Sequence, residues 1–546
     1  MVANLQVNPS MQKTRSKQAL AAELPLAAAR ARLTPKRPPK AMATKLWIDV
    51  EDFFEYGLSN FRPSGIQRLS FEVCRTLQEH HGGTGNLHFI RHAPVTRSFQ
   101  VVPWRDITEL FDKMSGGATP PSCEASPPAY LRRGPVWQRV RKLLHRLPPP
   151  ARLAAVDVAL TGIQAIRAWR RLFSILPPLV APMLSGSIRW RDADRGTGIL
   201  DATSSTILAR DSGSASTVDP RDAFAGSAVP GDVLLVLGSP WSHPDYAELV
   251  RRQCKRLGLR FALLVYDLIP IRRPEWCDPG LAHMFRDWVD GVLPLCDHVF
   301  AVSRATAADV ECYALERGIV LPRRVLPLPV GTGLGKALIA AQAAVAACAL
   351  APRLASASRL PSPGSYALIV STIEARKNHL LLFRVWRRLL EDLPREQVPT
   401  LVFAGRVGWL AGDLMRQIAN TANLDGKLVL VESPTDLEIA ALYAGCLFTL
   451  FPSFHEGWSL PVTESLAFGK PCVISNATSL PEAGGSLARL FDPGDMSDAY
   501  AVIRDLVVDR PGLAAWELRV RREFEPVPWI DTVDALLASL AADPDQ

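Results

Sequence analysis

The 546-residue chain lacks the residue spacings that mark several common protein classes. Its nine cysteines, at 74, 123, 254, 277, 296, 312, 348, 446 and 472, contain no Cys-x-x-Cys pair. An odd, scattered set argues against a zinc site or a disulfide frame and for small buried hydrophobes in a reducing compartment. Runs fit to span a bilayer are also missing. Ala337–Ala351 is short and alanine-rich, and Leu172–Leu184 is broken by Pro177, Pro178 and Pro182. The N-terminus has no compact apolar signal core, so a cytoplasmic or peripheral location is expected. No internal repeat stands out.

Acidic residues are scarce in two segments. Residues 1–44 carry eight Lys/Arg against Glu23 alone, and residues 131–191 carry twelve against Asp157 alone. Since the whole chain has a formal charge of +8, the remainder carries −10. The basic character therefore belongs to two segments laid on an acidic body, which argues against nucleic-acid binding by that body.

What is present is an α/β rhythm. Residues 1–44 read as a disordered basic tail ending in Pro35, Pro38 and Pro39. A domain over 45–330 is expected to open with the strand Leu46-Trp-Ile-Asp49. A helix begins at Ser64-Gly65-Ile66-Gln67-Arg68-Leu69, and residues 115–130 read as a loop. Within this domain, residues 131–191 predict a basic helical insertion cut by Pro148–Pro150 and Pro177-Pro178. Strands resume at 232–237, 261–265, 298–302 and 324–328. Residues 331–364, rich in Ala, Gly, Ser and Pro, predict a linker. A second domain over 365–515 shows strands at 366–371, 400–404, 427–431, 447–451, 471–475 and 488–491. A helix and tail over 516–546 complete the chain. Apolar strands alternating with helices predict parallel, doubly wound sheets, and two such domains leave a cleft for a ligand.

The chemistry concentrates in Phe451-Pro-Ser-Phe-His-Glu456-Gly457-Trp458-Ser459-Leu460-Pro461-Val-Thr-Glu464-Ser-Leu-Ala-Phe-Gly469-Lys-Pro471. Pro461 fits a first helical turn, Gly469 a helix end, and Pro471 prevents continuation. Glu456 then lies in the loop before the helix and Glu464 about one turn inside. The backbone N–H groups of Gly457, Trp458, Ser459 and Leu460 form a site for phosphate or sugar oxygens. Two surface glutamates flanking an ordinary loop would fit the pair alone, but not the surrounding pattern.

This segment resembles the Glu-x7-Glu signature of the retaining glycosyltransferases of family 4, the group 1 glycosyltransferases, and in particular their mannosyltransferase-like members. The resemblance implies the GT-B fold, two Rossmann-like domains facing a cleft. It implies that Glu456 contacts the donor sugar and Glu464 the ribose. Ser371-Thr-Ile-Glu374-Ala-Arg376-Lys377-Asn378-His379 resembles the family's Gly-Thr-Ile-Glu-Pro-Arg-Lys-Asn-His. Arg376 and Lys377 would hold the donor diphosphate, with Glu456, Arg376 and Lys377 as the catalytic set. Ser371 and Ala375 depart from the pattern without removing a ligand. A leaving diphosphate gathers negative charge, which a planar guanidinium fork and a compact ammonium both meet.

Other matches are partial. Phe403-Ala-Gly-Arg406-Val-Gly-Trp409 resembles a strand-end loop from which Arg406 would reach the phosphates; a structural turn is the alternative. Val431, in Val429–Glu432, would lie beside the nucleotide base. Leu442-Tyr443 and Leu480-Pro-Glu482 read as packing. Gly65 would let a helix start approach the ligand. Tyr266-Asp267-Leu-Ile-Pro270 resembles the family's His-Asp-x-x-Pro, with tyrosine replacing the histidine that would touch the donor sugar. His243 is a candidate for the acceptor cleft or for a structural role. Asp192-Ala-Asp194 has the form of a metal motif but sits in the basic insertion, so no metal and no cofactor is expected.

In Trp137–Arg146 and Ile163–Phe173, basic and apolar residues interleave, as on an interfacial helix at an anionic membrane surface. A solvated basic face is the alternative. The implied function is transfer of a hexose, first mannose from GDP-mannose, to a lipid-linked or glycan acceptor in bacterial surface-polysaccharide assembly. The protein would then sit peripherally on the inner face of the cell membrane. A nucleotide-sugar epimerase on the same fold and a non-catalytic membrane-associated scaffold are the alternatives.

Overall fold

Runs of consecutive apolar residues build two sheets in the computed structural model, which describes residues 44–332 and 360–542 apart from 61, 94–97, 116–222 and 244. The first sheet contains β1 (Leu46–Asp49), β2 (Leu87–Ala93), β3 (Ser98–Val102), β4 (Val233–Val236), β5 (Arg260–Val265), β6 (His298–Ala301) and β7 (Leu326–Pro327). Its order is β3-β2-β1-β4-β5-β6-β7, parallel except for the antiparallel β2–β3 pair. The second contains β8 (Tyr366–Val370), β9 (Thr400–Ala404), β10 (Leu428–Val431), β11 (Thr449–Phe451), β12 (Cys472–Ser475) and β13 (Ala488–Phe491). It runs β10-β9-β8-β11-β12-β13, all parallel. Strands β1, β4 and β8 are buried along their whole length, because helices cover both faces of each sheet. This is the expected GT-B fold of two doubly wound α/β domains.

The helices follow from local signals. Ser64 caps the helix Gly65–His81: its hydroxyl accepts from Ile66 N–H at 3.2 Å, while Gln67 Oε1 accepts from Ser64 N–H at 3.3 Å. The helix His379–Asp392 buries Leu381, Leu382, Val385, Trp386 and Leu389 at helical spacing against the second sheet. Losing such a buried leucine costs about 2–5 kcal/mol. Gly469 takes φ +71° just past the helix Leu460–Ala467, as its place in the sequence anticipates.

The chain's last helix corrects the expected boundary at residue 515. That position falls inside the helix Arg510–Glu523, whose Trp516 and Val520 belong to the core of the second domain. The following helix, Trp529–Ala541, returns to the first domain. Its Val533, Leu536 and Leu540 join Leu46, Ile48 and Leu77 in one apolar cluster. Arg260 donates to Leu540 O at 2.9 Å, and Thr332 N–H to Val527 O at 2.9 Å. All described residues belong to one compact unit. The expected tail, the basic insertion, Asp192-Ala-Asp194 and most of the expected linker lie outside the described residues.

Candidate active site

Strand order reverses between β8 and β11, so the loops leaving their carboxyl ends diverge and open a crevice. The loop after β8 makes a tight turn at Ala375–Lys377, and Asn378 (φ +56°) leads into the helix beyond. The loop after β11 runs to Ser459 (φ +86°), where the helix Leu460–Ala467 begins. The two loops are stitched together by Phe454 N–H donating to Arg376 O at 3.0 Å. From the far side, Ser479 Oγ donates to Glu456 O at 2.9 Å, and Glu456 N–H donates to Thr478 Oγ1 at 3.0 Å.

This bracing brings the expected catalytic set together. Glu456 Oε1 accepts from Lys377 Nζ at 2.5 Å, and Oε2 from Arg376 Nη1 at 3.0 Å. Arg376 also donates to His455 O at 2.6 Å and to Glu374 Oε1 at 2.8 Å. Burial opposes ionisation of Glu456, but Lys377 and Arg376 outweigh it and hold the carboxyl down to about 2. Burial, with Arg376 alongside, lowers the Lys377 ammonium against the pull of Glu456. Glu456 is therefore an anionic acceptor at neutral pH. It can take hydrogen bonds from sugar hydroxyls but cannot act as a general acid.

Glu464 lies one turn into its helix and is half-buried. Burial raises its carboxyl, while Arg68 and the Tyr443 hydroxyl, which donates to Oε2 at 3.0 Å, pull the other way. Tyr443, read from sequence as packing, thus orients a site residue. Arg68, unread in sequence, reaches from the first domain to Asp436 at 2.7 and 3.3 Å and lends its charge to Glu464. Arg62 likewise donates to Ser433 O at 2.6 Å.

The remaining expected residues separate. A methyl group on Gly457 would lie 2.0 Å from Tyr266 O, so only glycine allows the first domain to approach here. Trp458 is partly buried against the cores of both domains, and Leu460 packs on the first domain beside Gly65. Arg406 is exposed, its charge felt by Tyr56 across the cleft. Val431 is fully buried, and its carbonyl accepts from Gly405 N–H at 3.0 Å, so it shapes the floor of the crevice without offering a side chain. Tyr266 spends its hydroxyl on Leu237 O at 2.6 Å and shares a 2.7 Å bond with Ser70 Oγ. His243 packs edge-on against His92, with ring centroids 4.4 Å apart. Glu482 spans the domains, accepting from the N–H groups of Arg304 (3.0 Å) and Ala305 (2.9 Å) at a helix start. Among the described residues no group of three metal-ligating side chains occurs.

Comparison with known proteins agrees with this geometry. Residues 353–522 match the family model described as glycosyl transferases group 1. The chain is 26% identical over 298 residues to the serotype-specific mannosyltransferase WbdA of Escherichia coli, covering 52% of this chain and 34% of that protein. It is 34% identical over 144 residues to the O-antigen chain mannosyltransferase B of Escherichia coli, covering 26% and 37%. A crystal structure of Anabaena HepE in complex with UDP and glucose aligns at 15% identity and TM-score 0.41, over 57% of this chain and 78% of that one. The chain spans about a third of the length of these mannosyltransferases. The segment that matches the group 1 glycosyltransferase model encloses both the Arg376–Lys377 turn and the Glu456–Glu464 loop and helix.

Proposed function

We propose that the protein is a retaining glycosyltransferase that moves mannose from GDP-mannose to a lipid-linked or glycan acceptor in bacterial surface-polysaccharide assembly. The observation that carries the reading is the Arg376–Lys377–Glu456 cluster at the β8–β11 crevice. In the reaction the bond between the sugar's anomeric carbon and the phosphate oxygen breaks, and its electron pair leaves with the diphosphate. The acceptor hydroxyl forms the new bond on the same face and passes its proton to a departing phosphate oxygen. Lys377 has three donors and Arg376 five, so each can hold Glu456 and still meet phosphate. Glu456 orients the sugar hydroxyls, and Glu464 takes the ribose. Two cations already stand where leaving-group charge would develop, which supports a metal-independent mechanism. The mannosyltransferase names of the relatives support the choice of sugar.

The test is incubation of the full chain with a panel of nucleotide-sugars and a bacterial membrane extract, with and without excess EDTA. Released nucleotide with sugar in the lipid or glycan fraction, unchanged by EDTA, is expected. An isomerised free nucleotide-sugar would identify an epimerase, and no turnover would leave a scaffold. Complete, magnesium-reversible loss in EDTA would overturn the metal-free step.

Among the described residues no helix is long and apolar enough to cross a membrane. Association with the inner face of the cell membrane rests on the twelve basic residues of 131–191, each contributing about 1 kcal/mol near an anionic surface. Deleting 131–191 is expected to reduce co-sedimentation with phosphatidylglycerol liposomes. Undiminished binding would sink the assignment.

A further inference from the structure

Beside the Glu456 cluster lies a cavity of about 180 Å³ that the reaction as derived leaves unused. Trp241, Trp276, Phe285 and Trp288 of the first domain and Trp409 of the second line it. Asp267, Glu374 and Arg376 line it too, so it shares Arg376 with the donor cluster. The aromatic wall is fixed by its own packing. Trp241 meets Phe285 at 5.3 Å and Trp288 at 6.1 Å between centroids, both edge-on. Trp276 stacks on Phe454, two residues before Glu456, at 5.7 Å. Two details point to a ligand. Trp288 is only 7% exposed, yet its buried indole N–H has no hydrogen-bond partner. Trp409 stands 53% exposed at the same cavity, a large apolar surface left in water.

We propose that this cavity is the acceptor subsite and that it receives a hexopyranose ring of a glycan. A pyranose presents an apolar C–H face ringed by hydroxyls. The electron-rich faces of tryptophan accept the first, and the carboxylates of Asp267 and Glu374 with the Trp288 N–H answer the second. A hydrocarbon chain would fit the rings but leave the Trp288 donor unpaired and lie against two carboxylates and a guanidinium. The assignment rests on the transferase reading. It makes Trp288 and Trp409 specificity-determining residues, supplied by opposite sides of the cleft.

The experiment is a titration of the full chain's tryptophan fluorescence with methyl α-D-mannopyranoside. Mannitol serves as the open-chain control and octanol as the apolar one, and calorimetry with UDP, GDP and ADP runs in parallel. Wild type is expected to respond saturably to the mannoside and not to mannitol. Trp409→Ala and Trp288→Phe are each expected to weaken that response by roughly fivefold while nucleotide affinity stays within about twofold. Trp409 is half exposed and Trp288→Phe keeps a ring, so neither variant empties the core. Nucleotide binding without a mannoside response, or equal responses in wild type and both variants, would overturn the subsite and leave the transferase reading standing. A response to octanol alone would assign the cavity to an acyl chain and overturn it too. Failure of every nucleotide to bind would overturn the transferase reading, and the subsite with it.

Discussion

Lys377→Ala is expected to lower kcat by about 10²–10³-fold, the scale of one preorganised donor facing transition-state charge. The lysine is partly buried, and its hydrogen-bond partner, Glu456, keeps Arg376 when it is removed. The variant should therefore still fold cooperatively, with a lower melting temperature. Steady-state turnover with a nucleotide-sugar, read beside a melting curve, separates the two effects. If turnover were unchanged, the fold would stand, but the assignment of leaving-group stabilisation to this turn would be wrong. Lys377→Arg should restore little, because a planar fork cannot reproduce a compact ammonium 2.5 Å from Glu456 Oε1.

Glu456→Gln should be the most destabilising isosteric change in the site. It leaves the largely buried Arg376 with Glu374 as its remaining carboxylate partner and takes from Lys377 the carboxylate it is paired with. Breaking one side of a buried ion network costs about 3–5 kcal/mol. Activity should fall as well, since the sugar-facing acceptor is lost. The sign with pH follows from the depressed carboxyl. Glu456 titrates at about 2 in the folded chain against an ordinary 4.5, so its stabilisation is fully present above about pH 4.5 and fades as pH falls towards 2. The difference in unfolding free energy between wild type and Glu456→Gln should accordingly be flat from pH 7 to about 5 and shrink below that. A difference that grew on acidification would refute the ionised, doubly paired state of Glu456.

Local patterns carried much of this architecture. Tyr366–Val370 and Val233–Val236 are apolar throughout, and parallel strands buried on both faces need little else to be read. The Glu456 loop and its helix were legible because Pro461 and Gly469 punctuate them, and because the resemblance spans consecutive residues. What escaped depends on tertiary contact. In β2, His88, Arg91 and His92 interrupt the apolar positions, since they stack on Trp47, pair with Glu51 and bond Asp49 at 2.9 Å, partners distant in sequence. Arg68 and Asp436 lie 368 positions apart, and nothing local marks either as half of a pair. The tryptophan wall comes from separate stretches of chain that converge only in the fold, and Tyr443 gains its role from a helix 21 residues further on.

The return of Trp529–Ala541 to the first sheet has a consequence for synthesis. The second domain is a continuous stretch of sequence, so it can close as soon as its own residues have left the ribosome. The first domain cannot, because part of the apolar surface that covers β1 is translated more than 470 residues after that strand. The half begun first is therefore finished last, and an interrupted translation product would carry a closed second domain beside an N-terminal half with its core still open to water.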